Sequence, residues 1–174
     1  RIWHAIVSRS VAASVWGAAF DTISACFSKG LGCPAGSILM GTKETIAQAK
    51  RIRKMFGGTM RQTGLLAGAA LYALEHHIDR LQEDHKNAQV LAKALHSIDG
   101  ITCNASETDT NLVFFDIDKS LGDGASLCRK LWENGIMAEA LDPTRIRYVT
   151  HLGISSEDIE RAIEITAETC SNVT

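Results

Sequence analysis

Two stretches near the start of the chain carry the clearest polar and apolar rhythm. Thr22-Ile23-Ser24-Ala25-Cys26-Phe27 alternates and favours extended backbone, and Ser37-Ile38-Leu39-Met40 is a short apolar run. They predict two strands joined through Ser28-Lys29-Gly30-Leu31-Gly32-Cys33-Pro34-Ala35-Gly36. The glycines there permit close backbone approach or positive φ, and Pro34 stiffens the turn. Arg1 to about Val11 suits a helix, and Ala12 to Ala19 reads as a small-residue connection. Thr42 caps a helix that runs through Ile52 and ends near Gly57-Gly58. The next helical stretch, Met60 to about Leu81, is apolar nearly all round its first half, which predicts burial on most sides, in a large core or at a subunit interface. Glu83 to about Ser97 is amphipathic.

After Asp99-Gly100 short strand-like and helical segments alternate. Ile101 to Cys103, Asn111 to Ile117, Ile136 to Leu141 and Arg145 to Thr150 read as strands. A helix from about Gly124 to Asn134 turns Leu127, Leu131 and Trp132 inward, and a last one enters through the capping-box-like Ser155-Ser156-Glu157-Asp158. The pattern predicts an α/β chain whose second part is a small α/β domain. With no linker or repeat, the boundary is expected inside or just after a helix, giving domains over 1–85 and 86–174.

Composition narrows the partners. The 174 residues are 45% hydrophobic, enough for a packed core in one large or two small domains. A net charge of -2, from 18 basic and 20 acidic residues, gives no global attraction to nucleic acid or to an acidic membrane. No apolar stretch approaches the roughly 20 residues of a membrane span. Cys26, Cys33, Cys103, Cys128 and Cys170 lack CxxC spacing, which fits reduced thiols in an intracellular, cytoplasmic setting. The chain opens at Arg1 directly into buried-type residues, and the expectation is a piece of a longer polypeptide.

Three groups could carry chemistry. Lys29, held on a stiff turn, could serve as a Schiff-base amine once deprotonated, or could be a solvated loop lysine. Arg51, Arg53 and Lys54, followed by Gly57-Gly58-Thr59-Met60-Arg61-Gln62, could present amides and cations to a phosphate if the glycines open a helix. Taken alone, the same residues better describe a glycine cap on a basic last turn. Arg145 and Arg147 share one face of a strand, where either could grip a carboxylate, or both could be solvated on an edge strand. His76, His77 and His85 lie on helices without metal spacing, His4 and His96 are isolated, and no zinc or other metal motif is present.

Four blocks in order, Ser28-Lys29-Gly30-Leu31-Gly32 with Pro34 and Gly36-Ser37, Arg53-Lys54-Met55 with Gly57-Gly58-Thr59-Met60-Arg61-Gln62, Leu81-Gln82-Glu83-Asp84-His85, and Arg147-Tyr148-Val149-Thr150-His151-Leu152, resemble the low-specificity threonine aldolases. The resemblance covers essentially the whole chain. It implies the C-terminal part of a fold-type-I, aspartate-aminotransferase-like fold: the end of the large cofactor domain plus a small α/β domain. It further implies pyridoxal 5'-phosphate, with Lys29 forming the internal aldimine, and Lys54 and Arg61 reaching toward the cofactor phosphate of a neighbouring subunit. Arg1, at the end of an Asp-Gly-Ala-Arg block, would lie near cofactor and substrate, and Arg147 would bind the substrate carboxylate. The implied reaction is retro-aldol cleavage of a β-hydroxy amino acid, threonine or allo-threonine, to glycine and acetaldehyde, by a homo-oligomer, dimer or tetramer. The family's pyridine-nitrogen aspartate and ring-stacking histidine lie upstream of Arg1. Another cofactor-dependent lyase or aminotransferase, or a non-catalytic remnant, remains an alternative. Thr59 and Gly153 stand where the family more often has a smaller residue and an aspartate.

Overall fold

β1 (Thr22–Cys26) and β2 (Ser37–Gly41) pair antiparallel, Thr22 opposite Gly41 and Cys26 opposite Ser37, in a computed structural model that describes residues 1–172. The hairpin belongs to the first of two compact units, Arg1–Leu81; the second starts at Gln82. The first unit also holds α1 (Ile2–Arg9), α2 (Ala13–Ala18), α3 (Lys43–Met55) and α4 (Gly64–His76). Its core gathers under the hairpin turn. Phe27, Leu31 and Cys33 from the turn pack with Ala70 and Ala73 of α4, and Trp3 and Val7 of α1 close the side. Truncating the fully buried Leu31 to alanine would cost about 2–5 kcal/mol, so the turn is anchored by apolar packing rather than by its glycines alone.

Several expectations for this unit are corrected. Ala12 to Ala19 is not a plain connection, because Ala13–Ala18 is helical. This short helix forms although Ala12 offers it no side-chain cap. The helix expected from Met60 to about Leu81 is shorter, and α5 (Leu81–Leu95) begins where it was to end. Nor is α4 buried on most sides within the chain: Ala70 and Ala73 face the core, whereas Leu65 is 81% exposed. Thr42 caps α3 as expected, its hydroxyl accepting from Thr45 N at 3.2 Å.

The second unit is a four-stranded antiparallel sheet in the order β3 (Ile101–Cys103), β4 (Leu112–Ile117), β6 (Arg145–Val149), β5 (Glu139–Ala140). Strand periodicity sends Val113, Phe115 and Ile117 of β4, with Ile146 and Tyr148 of β6, into one core. There they meet α5, α6 (Gly124–Glu133) and α7 (Ser156–Ser171) through Leu91, Leu127 and Ile159. The opposite face keeps Phe114, Asp116, Arg145 and Arg147. β6 lies between β4 and β5, so the edge-strand reading of its arginines is corrected. Trp132, expected inward, is 68% exposed, one residue and about 100° off the stripe that Leu127 and Leu131 bury. The strand expected over Ile136 to Leu141 contracts to Glu139–Ala140, which alone find partners on β6. The capping box forms: Ser155 Oγ accepts from Asp158 N at 3.2 Å, and Asp158 Oδ2 from Ser155 N at 2.9 Å.

The exit of β6 is fastened by buried polar groups. Thr150 donates from Oγ1 to Asp84 O at 2.7 Å, and Asn111 donates from Nδ2 to Thr150 O at the same distance. Thr150 N donates to Asn111 O at 3.1 Å. These bonds fix the backbone that carries Arg147 a few residues earlier.

Candidate functional site

Lys29 stands exposed at the rim of the β1–β2 turn, its Nζ donating to Cys26 Sγ at 3.2 Å. Several bonds hold the turn below it. Gly32 N donates back to Lys29 O at 2.8 Å, Cys33 N to Phe27 O at 3.1 Å and Phe27 N to Gly36 O at 3.0 Å. Trp3 Nε1 reaches Cys26 O at 3.0 Å. His77 Nδ1 lies 2.7 Å from Leu31 O, and because a carbonyl only accepts, that nitrogen carries the proton. His4, isolated in the sequence, is 2% exposed and forms the floor of the turn. A Cβ added at Gly30 would lie 2.2 Å from its Nε2. Gly30 is thus demanded by room, since it is absent from the positive-φ glycines of the described residues. The result is a primary amine on a fixed backbone, with a thiol beside it.

Arg1 lies near this lysine. Lys54 is in the last turn of α3, and Arg61 in the stretch between α3 and α4; both are exposed. Among the described residues neither side chain has a hydrogen bond or an ion pair, with Lys29 or otherwise. Gly57-Gly58 does not open a helix. Gly57 takes φ +71, and the two amides return to Lys54 O and Arg53 O at 3.1 and 2.8 Å, so they close α3 and have no hydrogen left for a phosphate. What the block offers an anion is its cationic side chains.

In the second unit, β6 borders a cavity of about 570 Å³ whose polar lining includes Glu139, Arg147, His151, Asp158 and Arg161. The two arginines of β6 differ sharply. Arg145 is committed to the sheet, 4.0 Å from Asp116 and 5.6 Å above the Phe114 ring. Arg147 lines the cavity, donates from Nη2 to Glu139 Oε2, and keeps a buried Nε that has no hydrogen-bond partner among the described residues. An arginine at a cavity wall can offer its guanidinium to a carboxylate; one stacked on a ring cannot do so as readily.

Sequence reasoning missed four neighbours of these residues. Cys26 registered there only as a thiol, although its position at the strand end three residues before Lys29 was a usable signal. His4 and His77 brace the turn from distant helices, and Glu139 meets Arg147 through a strand pairing that the sequence does not display.

The family model described as Beta-eliminating lyase matches residues 1–118. The chain belongs to the beta-eliminating lyase family. Among curated relatives, Low-specificity L-threonine aldolase 1 of Arabidopsis thaliana is 39% identical over 91% of this chain and 45% of its own length. Low specificity L-threonine aldolase of Escherichia coli is 37% identical over 91% of this chain and 46% of its own. The chain therefore spans about half the length of the relatives it matches. A solved structure from Listeria monocytogenes, provisionally assigned as an L-allo-threonine aldolase, superposes with a TM-score of 0.78 at 20% identity over 97% of this chain and 50% of that one. The fold is accordingly the mixed α/β, fold-type-I architecture that the sequence resemblance implied.

Proposed function

We propose that this chain is part of a pyridoxal 5'-phosphate-dependent threonine aldolase that cleaves L-threonine or L-allo-threonine to glycine and acetaldehyde. One observation carries the reading: the clamped turn that presents Lys29, within a chain 39% identical to a low-specificity L-threonine aldolase. The residues present fit the cofactor. Lys29 offers an exposed amine whose hydrogen bond goes to a weak partner, a thiol, and Lys54 and Arg61 are cations free of ion pairs among the described residues.

When bound, pyridoxal phosphate supplies an aldehyde for a primary amine and a conjugated ring that accepts the electron pair of the breaking Cα–Cβ bond. In this reading the chain's own residues do the following. Lys29 would hold the cofactor through Nζ once that nitrogen has lost its proton, and the rigid turn keeps it in one place. Arg147 would take the substrate carboxylate and so orient the amino acid. Lys54 and Arg61 serve the cofactor phosphate by charge, and Arg1 lies beside the lysine.

The protein assembles as a homo-oligomer in this reading, a tetramer being the expected state. Met55 at the end of α3, Phe56 and Met60 after it, and Leu65 and Leu71 of α4 stay exposed, apolar side chains that a second copy could cover. A cytoplasmic setting fits the five unpaired cysteines. The test is an acetaldehyde assay on the complete protein loaded with pyridoxal phosphate, using L-threonine and L-allo-threonine. Stoichiometric glycine and acetaldehyde support the reading, and transamination or β-elimination products instead would overturn it.

A further inference from the structure

Glu139 and Arg147 stand directly opposite each other on β5 and β6. The pairing is built into the backbone. Asp142 Oδ1 accepts the amides of Thr144 and Arg145 at 2.9 and 2.8 Å, and Leu141 N donates to Arg145 O at 2.8 Å, so the turn between the strands is pinned and Glu139 is delivered to the guanidinium. Arg147 is the β6 arginine whose partner can leave. Arg145 is held by the Phe114 ring as well as by Asp116, whereas Glu139 sits on a two-residue edge strand with its side chain 58% exposed, against 28% for Arg147. Both Glu139 and Arg147 line the cavity of about 570 Å³.

We propose that Glu139 is an internal competitor for the carboxylate site. It occupies Arg147 Nη2 when no amino acid is bound and yields that donor to the incoming α-carboxylate. The inference rests on the preceding assignment of Arg147 to the substrate carboxylate. Two carboxylates sharing one guanidinium edge repel each other, so the glutamate has to turn toward solvent, which its exposure permits. Glu139 thereby sets the affinity for the amino acid rather than the chemistry of the step. Because an exposed ion pair is weak, the effect is a tuning of binding and not a block.

Calorimetric titration of glycine into the complete, cofactor-loaded protein tests this with Glu139→Gln, which keeps the shape and removes the charge. The variant is expected to bind glycine about threefold more tightly, the size set by a weak surface pair. The KM for the β-hydroxy amino acid should fall by a similar factor, with the effect in KM rather than in kcat. Unchanged glycine binding overturns the proposal, and weaker binding overturns it in favour of a glutamate that orients Arg147. Arg147→Ala separates the two layers. If it weakens glycine binding while Glu139→Gln changes nothing, the competition alone is wrong; if it leaves glycine binding unchanged, the carboxylate assignment itself fails.

Discussion

His4 fills the space that any side chain at Gly30 would need, with Nε2 only 2.2 Å from the position of an added Cβ. The contact ties the first helix to the turn that carries Lys29. Gly30→Ala should therefore destabilise the protein by about 1–3 kcal/mol through overpacking against a buried ring. Adding His4→Ala removes the obstacle, so the double variant should be more stable than the sum of the two single losses. A double-mutant cycle by chemical denaturation measures that coupling. Strict additivity would mean that the ring and the turn do not constrain each other.

Tyr148 gives a pH prediction in the second unit. Its hydroxyl is 3.0 Å from Thr166 Oγ1, and burial pushes the phenol well above its ordinary value of 10.0, with the Thr166 hydrogen bond opposing the shift in part. The folded state thus favours the neutral phenol. Its contribution is fully present below pH 10.0 and declines as pH rises above that value toward the higher folded one. Compared with Tyr148→Phe, the wild type should lose stability faster above pH 10.0, by up to about 1.4 kcal/mol per pH unit. At neutral pH the variant should cost about 0.5–1.5 kcal/mol for the lost hydrogen bond. Parallel pH profiles for the two proteins would contradict the assignment.

The exposed apolar side chains of α3, α4 and the segment between them predict self-association. Leu65→Glu places a charge where a partner copy would exclude water, and should shift sedimentation of the complete protein toward smaller species without lowering the stability of the subunit, since Leu65 is 81% exposed. An unchanged sedimentation profile would place the interface elsewhere.

Much of this molecule was legible in the residues because its local signals agree with its tertiary context. The alternation of Thr22 to Phe27, the Thr42 cap and the Ser155/Asp158 box each specify their element through neighbours in sequence, and each formed. Lys29 stood out for the same reason, as one amine among turn residues. What the residues left open or hid has a common cause. Gly57-Gly58 carries the same composition whether it closes one helix or opens another, and the direction of its amides decides which. Apolarity round α4 predicts burial but not by what, so the exposed Leu65 and Leu71 look inconsistent until a second chain is considered. His4, His77 and Glu139 act across long sequence separations, and no periodicity encodes such contacts.

The assignment of Lys29 as the residue that carries the cofactor is the claim on which the rest depends. Borohydride reduction of the complete protein incubated with pyridoxal phosphate, followed by peptide mass spectrometry, locates the attached lysine directly. A phosphopyridoxyl group is expected on Lys29, with no such adduct and no visible-range cofactor band in Lys29→Ala. Attachment at Lys54 or another lysine, or identical spectra for wild type and Lys29→Ala, would contradict it.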